Sequence, residues 1–180
     1  MWLRKPEEFD DIVEPDLFHD LFGHVPLLFD PVFADYMQAF GAGGLKADGM
    51  DALQYLARLY WYTVEFGLIR TPQGLRIYGA GILSSGGEVE HSLHSPLARR
   101  IGFNLPRLLR SRYRIDDYQS TYFVIDSFQQ LFDATAPDFT PLYAQAAASP
   151  DIEPGALLPG ESEGDLNCCE PQPGAHSARV

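Results

Sequence analysis

The chain has 180 residues, of which 46% are hydrophobic and 13% aromatic, which is typical of one globular domain rather than a disordered chain. A formal net charge of −12 argues against a nucleic-acid partner, because phosphate binding needs a basic surface. The sequence has no apolar run long enough for a membrane span and no secretory signal, and its two cysteines, Cys168 and Cys169, are adjacent and indicate no disulfide framework. We therefore expect a cytoplasmic protein.

In chain order, the first predicted helix begins at Pro15 and loosens at Gly23. A second helix is predicted over 31–41, because proline lies in its first turn and glycine just past its end. The glycines of 41–51 predict a loop, and apolar residues at helical spacing predict a longer helix over 50–67.

The second half of the chain supplies the β structure. Glycines within 74–85 predict a short strand, a turn and a backbone that another segment approaches closely. A helix passing into a strand is predicted over 106–115, and a strand followed by a helix over 120–136. The fold class is therefore mainly α with a small β element. Residues 1–145 form the predicted core, and 146–180, rich in Pro, Gly, Ser and acids, a disordered acidic tail.

Two histidines, His19 and His24, lie five residues apart in HDLFGH. On an ideal α-helix this spacing separates the side chains by about 140°. Both can reach one metal ion only if the helix loosens or ends between them, and Gly23 favours such a break.

Glu65 interrupts an otherwise strongly apolar segment, YWYTVEFGLI, where an unpaired carboxylate is strongly unfavourable. Its partner is either a cation held together with the two histidines or an arginine such as Arg58 or Arg70. Two imidazoles and one carboxylate are the ligand set of non-haem Fe(II) oxygenases. Zinc is the competing metal, but zinc hydrolases usually show HExxH, which is absent here. The pattern favours iron.

The sequence is similar to the aromatic amino-acid hydroxylases, and within them to bacterial members that act on phenylalanine. Four segments carry this resemblance in the same order: EPDLFHDLFGHVPLLFDPVFADYMQAFG (14–41), RLYWYTVEFGLI (58–69), IYGAGILSS (77–85) and YFVIDSFQQLFDATAPDFTPLYA (122–144). The resemblance covers about residues 2–145 and implies the catalytic-domain fold of that family, incomplete at its N-terminus.

The resemblance also implies roles for individual residues. His19, His24 and Glu65 match the family's three iron ligands. Arg4 matches the arginine that holds the substrate carboxylate, a task suited to a planar guanidinium, and Asp16 matches the acid that orients it.

Further matches concern the amino-acid and pterin sites. Trp61 and Phe66 match aromatic residues that wall the substrate ring, although both are equally plausible core residues. Ser84 matches a serine near the amino-acid site, and Ile115 a residue that touches the substrate ring, where an apolar side chain fits phenylalanine. Asp20 and Tyr60 match family residues that lie beside the pterin and the iron-bound waters, and the resemblance implies a catalytic and cofactor-binding role for both.

The implied activity is hydroxylation of L-phenylalanine to L-tyrosine with Fe(II), tetrahydrobiopterin or a related tetrahydropterin, and dioxygen, in phenylalanine catabolism. The alternatives are a catalytically silent iron-binding fragment and a tryptophan hydroxylase. A complete enzyme is expected to be monomeric, without nucleic-acid or membrane partners.

The chain also departs from the family. Family domains carry a stretch before the position of Trp2 that supplies scaffold helices and most of the pterin loop. We therefore expect an incomplete pterin pocket and exposed apolar surface around Leu56, Leu59 and Phe123. His91 and His94, three residues apart in a polar segment, suggest either a second metal site or, as we favour, a solvated surface loop.

Overall fold

The computed structural model describes residues 2–10 and 14–161. The α-helices are α1 (Pro31–Asp48), α2 (Leu53–Tyr60), α3 (Ala80–Leu83), α4 (Gly86–His94), α5 (Leu105–Leu109), α6 (Phe128–Thr135) and α7 (Thr140–Ala147). The strands are β1 (Leu68–Thr71), β2 (Gly74–Ile77), β3 (Arg99–Gly102) and β4 (Thr121–Ile125). Two π-helices, the first His19–His24 and the second Trp61–Glu65, and two 3₁₀ helices, Pro6–Glu8 and Val25–Phe29, complete the elements. The predicted class, mainly α with a small β element, is confirmed.

The four strands form one sheet in the order β2-β1-β4-β3. The β1–β2 hairpin is antiparallel, whereas β4 pairs in parallel with both β1 and β3. Every residue of β4 is buried, as its continuous apolar run TYFVI favours. The sheet thus anchors the chain just after the second π-helix, at Leu68.

Side-chain caps fix where several helices begin. At the N-terminus of four helices, the side-chain oxygen of the capping residue accepts a backbone N–H of the first turn; the capping residues are Asp30 (α1), Ser85 (α4), Asn104 (α5) and Ser127 (α6). Such caps satisfy N–H groups that have no partner within the helix.

Helix α1 is longer than predicted. The sequence predicts a helix over 31–41 followed by a loop over 41–51, but α1 continues through the glycines to Asp48. Each glycine in a helix costs about 1 kcal/mol relative to alanine, and tertiary contacts offset this cost. Ala47 is fully buried, and Lys46 forms an ion pair with Asp138.

The predicted strand within 106–115 is also absent. Helix α5 ends at Leu109, and Ser111 then makes only an isolated parallel bridge to Ile152. The helices and strands expected over 50–67 and 120–136 are present, with π-helical geometry at the end of the first.

The predicted boundary at residue 145 is too early. Helix α7 runs to Ala147, and Ile152 is buried. The Arg58 guanidinium binds both carboxylate oxygens of Asp151, at 2.7 and 2.9 Å. Ordered packing therefore continues to the last described residue, 161; the rest of the predicted tail lies outside the described residues.

The expected exposure of apolar core residues is wrong as well. Leu56, Leu59 and Phe123 are all buried, because α2, α5 and α7 pack around them. Exposed apolar side chains lie instead along the first π-helix and the 3₁₀ helix after it: Leu21, Phe22, Val25, Leu28 and Phe29. In the described part of the chain, no helix combines the length and apolarity needed to cross a membrane.

Candidate metal centre

The first π-helix solves the spacing problem of the two histidines. Its hydrogen bonds join residues five apart, as in the bond from the Val25 N–H to the Asp20 carbonyl. Residues i and i+5 then lie one above the other, and the Nε2 atoms of His19 and His24 are 2.9 Å apart. The predicted loosening of the helix is confirmed, and it takes the form of a wider helix rather than a break.

Gly23 has a packing role in this arrangement. A Cβ atom on Gly23 would lie 2.7 Å from the Cβ of Ala80, closer than two carbon atoms can pack. The first π-helix therefore lies directly against α3. The close backbone approach predicted for 74–85 is confirmed at Gly79, where a Cβ would lie 2.3 Å from the Glu65 carbonyl oxygen.

Glu65 completes the cluster from the end of the second π-helix, where the Phe66 N–H bonds the Trp61 carbonyl at 2.8 Å. One carboxylate oxygen, Oε2, lies 3.6 Å from the Nε2 of His19, and the other, Oε1, lies 3.3 Å from the Nε2 of His24. Two ligand atoms each about 2.1 Å from a shared ion take separations of this size. The residues present therefore fit a bound metal ion.

The arginine alternative for Glu65 is wrong. Arg58 is paired with Asp151, and the Nε of Arg70 lies 3.6 Å from Asp126. Among the described residues, His19, His24 and Glu65 are the one group of three or more potential ligands within reach of a single ion.

Ser84 sets the protonation of His19. Its hydroxyl donates to the Ala80 carbonyl at 2.8 Å, so its oxygen accepts the Nδ1–H of His19, also at 2.8 Å. This tautomer leaves the Nε2 lone pair of His19 directed at the cluster. Burial lowers the pKa of His19 below its usual value, which favours the neutral imidazole that metals bind.

A cavity of about 1160 Å³ lies beside this cluster. Seven of the eleven residues predicted for the site line it: His19, Tyr60, Trp61, Glu65, Phe66, Ser84 and Ile115. Trp61 and Phe66 form one aromatic wall, with ring centres 4.7 Å apart. The cavity is thus apolar and aromatic next to a two-histidine, one-carboxylate cluster, a combination suited to oxidation of an aromatic ring.

Sequence comparison decides the family. The model of the biopterin-dependent aromatic amino acid hydroxylases matches residues 2–139. The chain belongs to this family.

Individual hydroxylases are highly similar over most of the chain. The phenylalanine-4-hydroxylase of Ralstonia nicotianae is 63% identical over 89% of the chain, and that of Chromobacterium violaceum 62% identical over 89%. These alignments cover 51% and 54% of the relatives, so the chain spans about half their length.

Solved structures give the same result. The C. violaceum phenylalanine hydroxylase bound to cobalt superposes with a TM-score of 0.85 at 62% identity, covering 89% of this chain and 58% of that one. The crystal structure of that enzyme with iron and phenylalanine gives a TM-score of 0.83 at 61% identity, covering 89% and 57%. The expected catalytic-domain fold of the hydroxylase family is confirmed.

Four of the predicted residues are not part of the cavity lining: Arg4, Asp16, Asp20 and His24. The Arg4 guanidinium binds both oxygens of the buried Asp16 carboxylate, at 2.6 and 2.9 Å, and also donates to the Ser84 carbonyl. These bonds hold the pKa of Asp16 well below its usual range. An Asp16 oxygen also accepts the His19 backbone N–H at 2.9 Å, so the ion pair of Arg4 and Asp16 is joined directly to the cluster of His19, His24 and Glu65.

Tyr60 and Asp20 differ in their surroundings. Tyr60 is half-buried, and burial, assisted by the nearby Glu65 carboxylate, raises the pKa of its hydroxyl to about 12. Asp20 is exposed, on the first π-helix.

The histidines His91 and His94 lie on helix α4, so the expected surface loop is wrong. His94 is exposed, whereas the His91 Nε2 bonds the Gln119 carbonyl at 3.1 Å. Sequence reasoning missed Gln119, Tyr113 and Glu88, which also line the cavity. No sequence signal marks Gln119 or Tyr113, whereas an acid three residues after Ser85 is the usual sign of a helix N-terminus.

Proposed function

We propose that this chain is the iron-binding part of an enzyme that hydroxylates L-phenylalanine to L-tyrosine with a tetrahydropterin and dioxygen. The observation that carries the proposal is the cluster of His19, His24 and Glu65 at the side of an aromatic-walled cavity. A role in phenylalanine catabolism, in the cytoplasm and as a monomer, belongs to the same proposal.

The two imidazoles and the carboxylate would hold Fe(II) and leave positions open on the ion. Iron and the tetrahydropterin together supply the activation of dioxygen. The protein's part is to direct the three ligand atoms at one point. Two π-helices and the hydrogen bond from the His19 Nδ1–H to Ser84 would do this.

The substrate's ring would lie against Trp61 and Phe66, with Ile115 at the rim of the cavity. Its carboxylate would bind Arg4. The guanidinium has five N–H groups, of which three are engaged by Asp16 and the Ser84 carbonyl. One N–H on each Nη nitrogen remains for a carboxylate, and Asp16 holds the fork in place.

Asp20 and Tyr60 would lie beside the pterin and the iron-bound waters. Tyr60 lines the cavity next to Glu65, and Asp20 lies next to His19 in the chain. With its pKa at about 12, the Tyr60 hydroxyl keeps its proton at neutral pH and can donate a hydrogen bond.

A second candidate is a chain that binds iron without hydroxylating. A third, a tryptophan hydroxylase, would need the same cavity to admit an indole. All three candidates use the same metal cluster, and they differ in whether an amino acid is hydroxylated in the cavity and in which one it is.

The test measures iron content first and hydroxylation second. The purified chain should hold one Fe(II), and His24→Ala should lose most of it, whereas His94→Ala, an exposed histidine of α4, should retain it. Stoichiometric iron in His24→Ala would overturn the metal assignment. With iron bound, turnover of phenylalanine and of tryptophan with added tetrahydropterin separates the three candidates, and no turnover of either supports the silent fragment.

A further inference from the structure

A single buried side chain, Gln119, joins the aromatic wall of the cavity to the segment that forms its rim. Its Oε1 accepts the indole N–H of Trp61 at 3.0 Å. Its Nε2 donates to the Arg114 carbonyl at 2.8 Å and the Asp117 carbonyl at 3.4 Å. Gln119 is only 3% exposed and lines the cavity.

The orientation of this amide is fixed by its partners. An indole N–H only donates and a backbone carbonyl only accepts, so the oxygen must face Trp61 and the nitrogen must face the carbonyls. A flipped amide would lose both kinds of bond. Gln119 can therefore hold the indole in one direction only.

The backbone of Gln119 is held equally firmly. Its N–H donates to the buried Glu88 carboxylate at 3.1 Å, and its carbonyl bonds the Nε2 of His91 at 3.1 Å. Both partners lie on α4, which begins directly after Ser85. The backbone on which the amide is carried is thus fixed relative to α4.

The indole of Trp61 packs against two other rings of the cavity. Tyr113 lies parallel to it at 4.3 Å and 15°, and Phe66 lies at 4.7 Å and 32°. Stacking fixes the distance between planes but lets a ring slide and turn within its plane. The hydrogen bond from the Trp61 indole N–H to the Gln119 Oε1 removes the freedom to turn within the plane.

We propose that Gln119 is a positioning residue, which fixes the Trp61 indole as a rigid wall for an aromatic amino-acid ring and fastens the rim that carries Tyr113 and Ile115 to the same point. The inference rests on the proposed function for the nature of the ligand only. The alternative is that Gln119 merely stabilises the backbone around residue 119 and that stacking alone places Trp61.

The experiment uses the full chain with Trp2→Phe, which leaves Trp61 as the one tryptophan. Gln119→Leu removes all three hydrogen bonds of the side-chain amide at similar volume. Gln119→Asn keeps the amide but shortens the side chain by one methylene, so the amide no longer reaches its partners. The asparagine variant is used instead if Gln119→Leu does not fold. Gln129→Leu, an exposed glutamine of α6, is the matched control.

Two measurements are made on each folded, iron-loaded variant: acrylamide quenching of Trp61 fluorescence, and the Kd for L-phenylalanine by calorimetry. We expect stronger quenching and a Kd about two- to tenfold higher in the Gln119 variants, as loss of one net hydrogen bond implies. The control should match the parent in both.

Parent-like quenching in the Gln119 variants overturns the proposal, because a merely structural residue would leave the indole in place. If the parent itself binds no phenylalanine, the proposed function fails. The quenching comparison still decides the role of Gln119, since it needs no ligand.

Discussion

Replacing Ser84 with alanine should weaken iron binding without removing any iron ligand. The Ser84 oxygen accepts the Nδ1–H of His19 at 2.8 Å, and the serine is only 3% exposed. In Ser84→Ala this N–H has no partner in the cluster, and the imidazole is free to turn about its χ2 bond. The lone pair on the Nε2 of His19 is then no longer held in one direction towards the cluster.

The magnitude follows from that single bond. A buried donor left without a partner costs about 1–3 kcal/mol, which corresponds to roughly five- to 150-fold in a binding constant. Loss of the outer hydrogen bond of a metal-bound histidine typically lowers metal affinity about 10–100-fold. We therefore expect the Kd for Fe(II) to rise by about one to two orders of magnitude in Ser84→Ala.

Anaerobic competition with a chelator of known affinity measures the Kd for Fe(II) in the parent and the variant. Ser92→Ala is the matched control, because Ser92 is fully buried and its hydroxyl bonds only the Val89 carbonyl at 3.1 Å. A Ser84→Ala chain that is folded and binds iron as tightly as the Ser92→Ala chain would refute the reasoning that this bond orients His19.

Three further predictions test the surroundings of the site. Gly23→Ala should lower the free energy of unfolding by about 1–3 kcal/mol, the usual cost of overpacking, because the added Cβ would lie 2.7 Å from the Cβ of Ala80. An unchanged midpoint of urea unfolding would show instead that α3 can shift away from the first π-helix without cost. Arg4→Lys should raise the Kd for phenylalanine roughly ten- to a hundredfold, since lysine cannot form the fork; equal calorimetric Kd values would remove Arg4 from the substrate site. The Arg58 guanidinium holds the pKa of Asp151 below its usual 3.8, so the ionised carboxylate stabilises the fold above about pH 3.8, and this contribution is lost as the pH falls further. Asp151→Asn should therefore have a lower Tm than the parent at pH 7, with the gap closing below pH 3.8, and a gap that persists at low pH would contradict the ion pair as its cause.

The cluster of His19, His24 and Glu65 could be predicted because each of its residues breaks a local pattern. Glu65 stands in an apolar run, and His19 and His24 flank Gly23 at a spacing that an α-helix does not accommodate. The π-helical form could not be predicted, because it depends on the packing of Gly23 against Ala80, which lies nearly sixty residues later in the chain.

The errors in the fold have a common cause, the dominance of tertiary contacts over local composition. The glycines of α1 indicate a loop, yet the burial of Ala47 keeps the helix intact. The acids after residue 145 indicate disorder, yet Asp151 and Glu161 bind Arg58 and Arg107 in the core. The composition of a segment gives the number of its acidic residues, but it does not show which of them form ion pairs with arginines far away in the sequence.

The wider turn of the first π-helix makes the site sensitive to chain length in a way that side-chain substitution does not reveal. Deleting one residue between His19 and His24, such as Leu21, would leave the two histidines four positions apart, in register for an ordinary α-helix, so the pair could still face one ion. Everything after the deletion would be turned by about 100° and moved back by about 1.5 Å along the axis. Helix α1 would then present the wrong face to α6 and α2. The extra residue of the π-helix therefore serves both the cluster of His19, His24 and Glu65 and the packing of α1, so its removal would disturb the fold even where the cluster itself could re-form.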